Sequence, residues 1–148
     1  MLKNIAGLVL PETDTIAFRR TDIAGMGAPD IARLGIGYVP QGRGLFADMS
    51  VADNLALGRL ARALSGNVSL LLLDEPFEGL APAVTLELFK VFDRLRQHIS
   101  IVIVEHNLDL VLALADRVFV LERGTVFHQG PAQPLLDNLD YRKQILWL

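Results

Sequence analysis

The sequence predicts an α/β fold in which a mostly parallel sheet is flanked by helices and followed by a C-terminal hairpin. The apolar run at residues 70–73 continues directly into Asp74 and Glu75, and a second apolar run occupies residues 101–104. Unbroken apolar runs of this length are typical of strands buried on both faces. Helix-like segments separate the strand-like ones, and this alternation favours a parallel sheet.

The first half of the chain predicts short elements joined by turns. Residues 15–18 are β-branched and aromatic, as in strands, and Pro29 suits the first turn of a helix. Ser50 and Asp53 have the spacing of a capping box. The predicted elements are a helix end at 2–8, a turn at 11–12, a strand at 15–18, a helix at 29–34, a strand at 36–39, a loop at 42–44, a helix from 50 to the region of Arg59, a link at 64–69 and a strand at 70–73.

The second half predicts one long helix and then a strand, a helix and a hairpin. The long helix begins at Pro82 and has an apolar stripe with helical spacing. Its members are Val84, Leu88, Val91, Phe92 and Leu95. The later elements are a strand at 100–104, a helix capped by Asn107, hairpin strands at 118–121 and 125–128 joined across Arg123 and Gly124, a short helix starting at Pro131 and a last helical piece ending at Trp147 and Leu148.

Composition narrows the functional classes. The 148 residues fit one domain, and half of them are apolar. A net charge of −3 without a basic block gives nucleic-acid binding no support. The chain has no cysteine, which excludes disulfides and cysteine-based metal sites. The apolar runs are too short to span a bilayer, and the N-terminus lacks the pattern of a signal peptide. We therefore expect a cytoplasmic protein.

Asp74 and Glu75 are the first candidate site residues. A buried strand that ends in two acids places them where α/β sheets bind ligands. The Asp suits a Mg²⁺ held beside phosphates, and the Glu suits polarising a water molecule. The alternative is a pair of solvated acids at a turn, although the preceding leucines and the following Pro76 favour the functional interpretation.

Gln41 and His106 also follow predicted strands. The side-chain oxygen of Gln41 could bind Mg²⁺ and hold a water, and His106 could donate to a phosphate. By themselves, a Gln in a glycine-rich loop and a His on the surface would be unremarkable. The other histidines, His98 and His128, have no such context and are expected to face solvent.

The order of these residues resembles the ATP-binding subunit of an ABC transporter, which is a P-loop NTPase. Gln41 would lie in the Q-loop, residues 70–76 would form the Walker B motif, residues 77–80 the D-loop and residues 104–106 the H-loop. Three longer runs are similar to the ATPase subunits of branched-chain amino-acid uptake systems. They are residues 32–46, 75–82 and 115–124. One difference is Phe77, where the family usually has Ser.

The resemblance implies roles for the site residues, with ATP and Mg²⁺ as cofactors. Asp74 would bind Mg²⁺, and Gln41 would sense Mg²⁺ and the γ-phosphate. Glu75 would act as the general base on the attacking water, and His106 would contact the γ-phosphate.

The resemblance also implies two partners. A second ATPase subunit would contact the predicted D-loop, which consists of Phe77, Glu78, Gly79 and Leu80. A membrane permease subunit would dock on residues 42–54. The protein would then be peripheral on the inner face of the cell membrane.

Two family motifs are not found in these 148 residues. A P-loop reads Gly-x-x-x-x-Gly-Lys-Ser/Thr because backbone N–H groups and a Lys hold the phosphates. The three lysines, Lys3, Lys90 and Lys143, each follow a residue other than Gly. Residues 1–5 resemble the middle of the helix that follows this Walker A loop. We therefore expect the loop, and the aromatic residue that stacks on adenine, to lie upstream of the chain.

The signature Leu-Ser-Gly-Gly-Gln is the second motif not found. Residues 64–66 imitate its first three residues but lie too close to the Walker B run. Residues 61–64 are better interpreted as the end of the signature helix. This interpretation predicts a deletion between Gly58 and Ala63. The chain would then be a single truncated ABC ATPase domain, with a Q-loop segment at 1–58 and the other motifs at 64–148.

These differences leave two functions open. In one, the chain contributes Asp74, Glu75, Gln41 and His106 to ATP hydrolysis, and a partner or an incomplete gene record accounts for the rest. In the other, it is a non-catalytic remnant or a binding module for a permease or another ATPase subunit. The motifs not found favour the second. In the family the P-loop strand adjoins the predicted strand at 101–104, so we also expect an open apolar edge and self-association.

Overall fold

The computed structural model describes residues 1–12, 15–41 and 66–146, and these fall into two compact units. The first unit comprises Met1–Glu105 and the second His106–Leu148. In chain order the elements are α1 (Leu2–Ile5), β1 (Ala17–Phe18), β2 (Thr21–Asp22), α2 (Ala28–Arg33), β3 (Ile36–Val39), β4 (Leu70–Asp74), α3 (Pro82–Leu95), β5 (Ser100–Val104), α4 (Leu108–Leu114), β6 (Arg117–Glu122), β7 (Thr125–Pro131), α5 (Gln133–Asp137) and α6 (Leu139–Leu146).

The first unit contains a three-stranded parallel sheet in the order β3-β4-β5. Ile36 lies opposite Leu70, and Leu70 lies opposite Ser100, so the three strands start level with one another. The three leucines at 71–73 are fully buried, as expected for a central strand covered on both faces. The predicted α/β fold with a parallel sheet is confirmed.

One face of this sheet packs against the N-terminal helices. Ile36 and Leu72 belong to a buried cluster with Leu2 of α1 and Ile31 of α2. Helix α1 is shorter than the predicted 2–8 and ends at Ile5, whereas α2 lies within one residue of its predicted bounds. The helices cover a face of the sheet, whereas the predicted site residues lie at the carboxyl ends of its strands.

The predicted strand at 15–18 is the first of two very short antiparallel strands. Ala17 lies opposite Asp22, and Phe18 lies opposite Thr21. The turn places Arg19 and Arg20 at φ of 49° and 69°. Sequence reasoning missed this hairpin because neither arginine is typical of a turn that needs positive φ.

Helix α3 has the predicted apolar stripe. Leu88 and Phe92 are buried, and Val84, Val91 and Leu95 are partly buried. The helix begins at Pro82, whose fixed φ suits a first helical position.

The second unit is built on helix α4 and the β6–β7 hairpin. The Asn107 side chain accepts a hydrogen bond from the Leu110 N–H at 3.4 Å, so the predicted cap is present. Residues 123 and 124 both have positive φ, which matches the right-handed twist of the two strands. Leu112, Ala132 and Leu135 form the core of this unit.

The predicted helix start at Pro131 is wrong. Pro131 ends β7 opposite Arg117, and helix α5 begins at Gln133 with Pro134 in its first turn. Proline has no backbone N–H to donate to a neighbouring strand, so it is tolerated at the end of a strand, where that hydrogen bond is not needed. The predicted helix from Ser50 and the chain end at 147–148 lie outside the described residues.

Candidate functional site

The carboxyl edge of the parallel sheet gathers the predicted site residues of the first unit. Asp74 is the last residue of β4 and Glu75 follows it, while Gln41 lies two residues beyond β3. Because β3 and β4 are parallel and in register, both strands end at the same edge. The Glu75 N–H donates to the Val104 carbonyl at 2.8 Å. This hydrogen bond ties Glu75, which directly follows β4, to the last residue of β5.

The backbone turns sharply at Glu75. Its φ is 49°, in the left-handed region that residues other than Gly seldom occupy. The Glu78 N–H then donates to the Glu75 carbonyl at 3.2 Å and closes a turn. A residue persists in this strained conformation only when surrounding contacts hold it there, and such residues are often found at functional sites. The turn points the Glu75 side chain towards the loop after β3, where it meets Gln41.

The Gln41 amide bridges two carboxylates. Its Nε2 donates to Glu75 Oε2 at 2.6 Å and lies 3.5 Å from Glu78 Oε2. The short contact joins a neutral donor to an ionisable acceptor, which is the stronger class of hydrogen bond. Since Nε2 faces the carboxylates, the amide oxygen is the atom of Gln41 with the chemistry to bind a cation. The structure therefore brings Gln41 and Glu75, two of the predicted site residues, into direct contact.

Tyr38 is a site residue that sequence reasoning missed. Its hydroxyl donates to Asp74 Oδ2 at 3.1 Å. Burial, followed by the hydrogen bond and the charge of Asp74, raises the pKa of Tyr38 to about 12. Sequence reasoning could not find this contact because it depends on strand register: Tyr38 is opposite Leu72, and Asp74 follows two residues later on the same face of β4.

Glu105 is a second residue that was missed. Its Oε2 accepts a hydrogen bond from the Phe77 N–H at 3.1 Å, so the residue after β5 fixes the loop after β4. Phe77 itself is only 6% exposed and packs edge-on against Phe92, with ring centroids 5.7 Å apart. The aromatic residue noted as unusual at this position thus fills the core of the first unit.

Asp74 and Gln41 each have a side chain of a kind that suits Mg²⁺. Both side chains offer oxygen, the ligand that this ion prefers, and Mg²⁺ sites commonly use one or two protein groups beside phosphates and waters. Within the described ranges, no group of three or more His, Cys, Asp or Glu side chains is arranged to hold a metal. A Mg²⁺ here would accordingly need ligands beyond these side chains. The metal role of both residues stays a prediction.

His106 is the first residue of the second unit, and its side chain is exposed. It directly precedes Asn107, the cap of α4. Its contact with a γ-phosphate stays a prediction. His98 is exposed as expected, whereas the expectation for His128 is wrong: it is partly buried, with its ring 6.1 Å from that of Tyr141.

The four predicted partner-contact residues differ in exposure. Glu78 and Gly79 are exposed, Leu80 is partly buried and Phe77 is buried. The contact with a second ATPase subunit stays a prediction, and the exposed pair are its best-placed members. The predicted permease-docking segment at 42–54 lies outside the described residues. Among the described helices, none is long and apolar enough to cross a membrane.

Comparison with known proteins identifies homologous sequences. No family model matches the chain. It is 27% identical over 189 residues to the high-affinity branched-chain amino acid transport ATP-binding protein BraG of Pseudomonas aeruginosa, covering 99% of this chain and 81% of BraG. It is 28% identical to the lipopolysaccharide export system ATP-binding protein LptB of Acidithiobacillus ferridurans, with 90% and 74% covered. Identity to the LivG protein of Escherichia coli K12 is 35%, over 60% of this chain and 38% of LivG.

The solved structures agree on the fold. A nucleotide-free ATP-binding cassette from an ABC transporter superposes with a TM-score of 0.77 at 17% identity, covering 98% of this chain and 80% of the cassette. The β3-β4-β5 sheet is thus part of a known architecture. The chain has the α/β fold of ABC ATPase cassettes, and its homologues are ATP-binding proteins of ABC transporters.

Proposed function

We propose that this chain derives from the ATP-binding subunit of an ABC importer for branched-chain amino acids. The observation that carries the proposal is the 2.6 Å contact between Gln41 and Glu75 beside Asp74. It joins the residue proposed to sense Mg²⁺ and the γ-phosphate to the residue proposed to activate water. BraG and LivG, which the chain resembles, are both named as branched-chain amino acid transport ATP-binding proteins.

The chemistry proposed for this edge is hydrolysis of the terminal phosphate of ATP. Mg²⁺, when bound, would draw charge from the phosphate oxygens. Asp74 would hold this ion, and the Gln41 amide oxygen would be a second ligand. Glu75 accepts a proton from the attacking water, and the Gln41 N–H group orients its carboxylate. By resemblance to the family, His106 would donate to the γ-phosphate.

The proposal places the chain in a larger assembly. Glu78 and Gly79 are exposed next to the acids and, with Leu80 and Phe77, form the proposed contact with a second ATPase subunit. Residues 42–54 would dock on the permease. The chain would lie in the cytoplasm against the inner face of the membrane. ATP binding would clamp two subunits, and hydrolysis would release them to drive the permease.

In this proposal the phosphates are held by groups that these 148 residues do not supply. None of the three lysines follows a Gly as the P-loop lysine does. The acids described here would therefore bind the metal ion and activate the water, but they would not hold the phosphates. The chain alone is accordingly expected neither to bind nor to hydrolyse ATP.

A second candidate is a non-catalytic module that docks on a permease or another ATPase subunit. The alignment with BraG supports it, because it extends over 189 residues although the chain has only 148. Gaps must therefore open within the chain, in keeping with the proposed deletion between Gly58 and Ala63. Docking on a permease in nanodiscs that is unaffected by Mg-ATP would favour this candidate.

Calorimetric titration of the folded chain with Mg-ATP tests the proposal. We expect no binding by the chain alone. Binding that is abolished by Asp74→Asn but kept by Asp30→Asn would contradict this expectation and support a complete site. Asp30 is a matched control because it is an exposed aspartate that pairs with Arg33 on helix α2. Binding that both variants keep would contradict the role of Asp74.

A further inference from the structure

We propose that Tyr38 is a positioning residue for Asp74, which it prepares to bind a divalent cation. The inference rests on the proposed function, because it takes Asp74 to be the cation ligand. It goes beyond that function in adding a residue from the interior of β3, which the arrangement of motifs along the sequence does not mark.

The register of the sheet brings the two side chains together. Tyr38 lies opposite Leu72 in the parallel pair β3-β4, and Asp74 is two residues farther along β4. Side chains two apart on a strand share a face, so the phenol can lean along the sheet towards the acid. A one-residue shift in register would place them on opposite faces and remove the contact.

The tyrosine ring is held in place by the core. Tyr38 packs against the buried cluster that includes Ile36 and Leu72, so its ring has little freedom. Its hydroxyl is the one polar group of the side chain, and it donates to Asp74 Oδ2. The rigid ring therefore fixes the orientation of a carboxylate that would otherwise rotate about its terminal bond.

A fixed carboxylate is a better metal ligand than a rotating one. The hydroxyl occupies Oδ2, so Oδ1 is the oxygen left to face a cation or a metal-bound water. Groups that orient metal ligands in this way commonly change metal affinity about 10-fold to 100-fold when they are removed.

Tyr38→Phe is the appropriate variant, because it removes only the hydroxyl oxygen and keeps the ring. Mn²⁺ serves as a paramagnetic probe of the cation site, with affinity measured by water proton relaxation on the full chain. Tyr141→Phe is the matched control, since Tyr141 is also a partly buried tyrosine but belongs to the second unit. Circular dichroism checks that each variant is folded.

We expect Tyr38→Phe to weaken Mn²⁺ binding about 10-fold, Tyr141→Phe to leave it unchanged and Asp74→Asn to abolish it. The ¹³Cζ resonance of Tyr38 should also shift on addition of Mg²⁺ at pH 7.5, whereas that of Tyr141 should not. A tyrosine with only a structural role would show no change in Mn²⁺ affinity when its hydroxyl is removed.

Two results would overturn the inference, and they are distinguishable. If Asp74→Asn abolishes binding but Tyr38→Phe binds as tightly as wild type, Tyr38 does not position the ligand, although the proposed cation site stands. If the wild-type chain binds no Mn²⁺, or Asp74→Asn binds as wild type does, Asp74 is not the cation ligand. In that case both the inference and the metal role in the proposed function are wrong.

Discussion

The carboxylate of Glu105 accepts a hydrogen bond from the backbone N–H of Phe77, with 3.1 Å between Oε2 and N. The two residues are 28 positions apart in sequence, and they follow the neighbouring strands β5 and β4. The contact satisfies a backbone donor at the start of the loop that carries Glu78 and Gly79. The shape of this loop therefore depends on the residue that directly precedes His106.

Removing the Glu105 side chain should destabilise the first unit. Glu105→Ala leaves the Phe77 N–H without this acceptor, and an unsatisfied buried donor costs roughly 1 to 3 kcal/mol. Glu105→Gln keeps a side-chain oxygen at the same reach and should lose less. Urea unfolding of the two variants measures the difference. Equal loss of stability in both variants would contradict a role based on accepting this hydrogen bond.

Two leucines on helix α3 offer a matched test of the core. Leu88 is 2% exposed, whereas Leu86 is 56% exposed. We expect Leu88→Ala to lower the free energy of unfolding by about 2 to 5 kcal/mol because it leaves a cavity. Leu86→Ala, the same chemical change on the surface, should cost roughly 0.5 kcal/mol or less. Similar losses, measured by chemical denaturation, would contradict the orientation of α3.

The glycine between α2 and β3 should resist substitution. Gly35 has a φ of +93°, and a Cβ built there would lie 2.7 Å from the Asn67 carbonyl oxygen. Gly35→Ala should therefore suffer both backbone strain and a clash. Gly25→Ala is the control, because Gly25 has a φ of +80° but nothing within 4 Å of the added carbon. Thermal unfolding should show a larger loss for Gly35→Ala, and the reverse order would contradict the close approach.

Stability should depend on alkaline pH through Tyr38. Its pKa of about 12 in the folded chain lies above the ordinary value of 10.0, so folding favours the protonated phenol. The resulting stabilisation is fully present below pH 10 and is lost as the pH rises towards 12. The difference in unfolding free energy between wild type and Tyr38→Phe should shrink across this interval. A constant difference, measured by urea unfolding at several pH values, would contradict the raised pKa.

Self-association through strand β5 remains a prediction that the structure makes specific. In the described part of the chain, no strand pairs with the free side of β5, and Val104 at its end is 38% exposed. Charges on an edge strand oppose pairing with another chain. Val104→Lys should therefore reduce association in analytical ultracentrifugation, while Val104→Thr should not. A wild-type chain that sediments as a single monomer would contradict the prediction.

Local sequence patterns were enough to predict most of the elements and the acids at the carboxyl edge of the sheet. The leucine run and the Ile-Val run predicted β4 and β5, and the apolar stripe from Val84 to Leu95 predicted α3, because buried strands and amphipathic helices have distinct periods. Asp74 and Glu75 could be recognised since they directly follow a buried run. The helix start predicted at Pro131 was wrong because proline is found both at strand ends and at helix starts.

Contacts between side chains that are distant in sequence depend on how the strands pair in the folded chain. The contact of Tyr38 with Asp74 depends on the register of two strands 34 residues apart, which no local pattern encodes. The bond from Phe77 to Glu105 likewise requires β4 and β5 to end side by side. Periodicity reports whether a residue is buried, but it does not report its partner. For that physical reason the acids could be predicted from the sequence, and the residues that orient them could not.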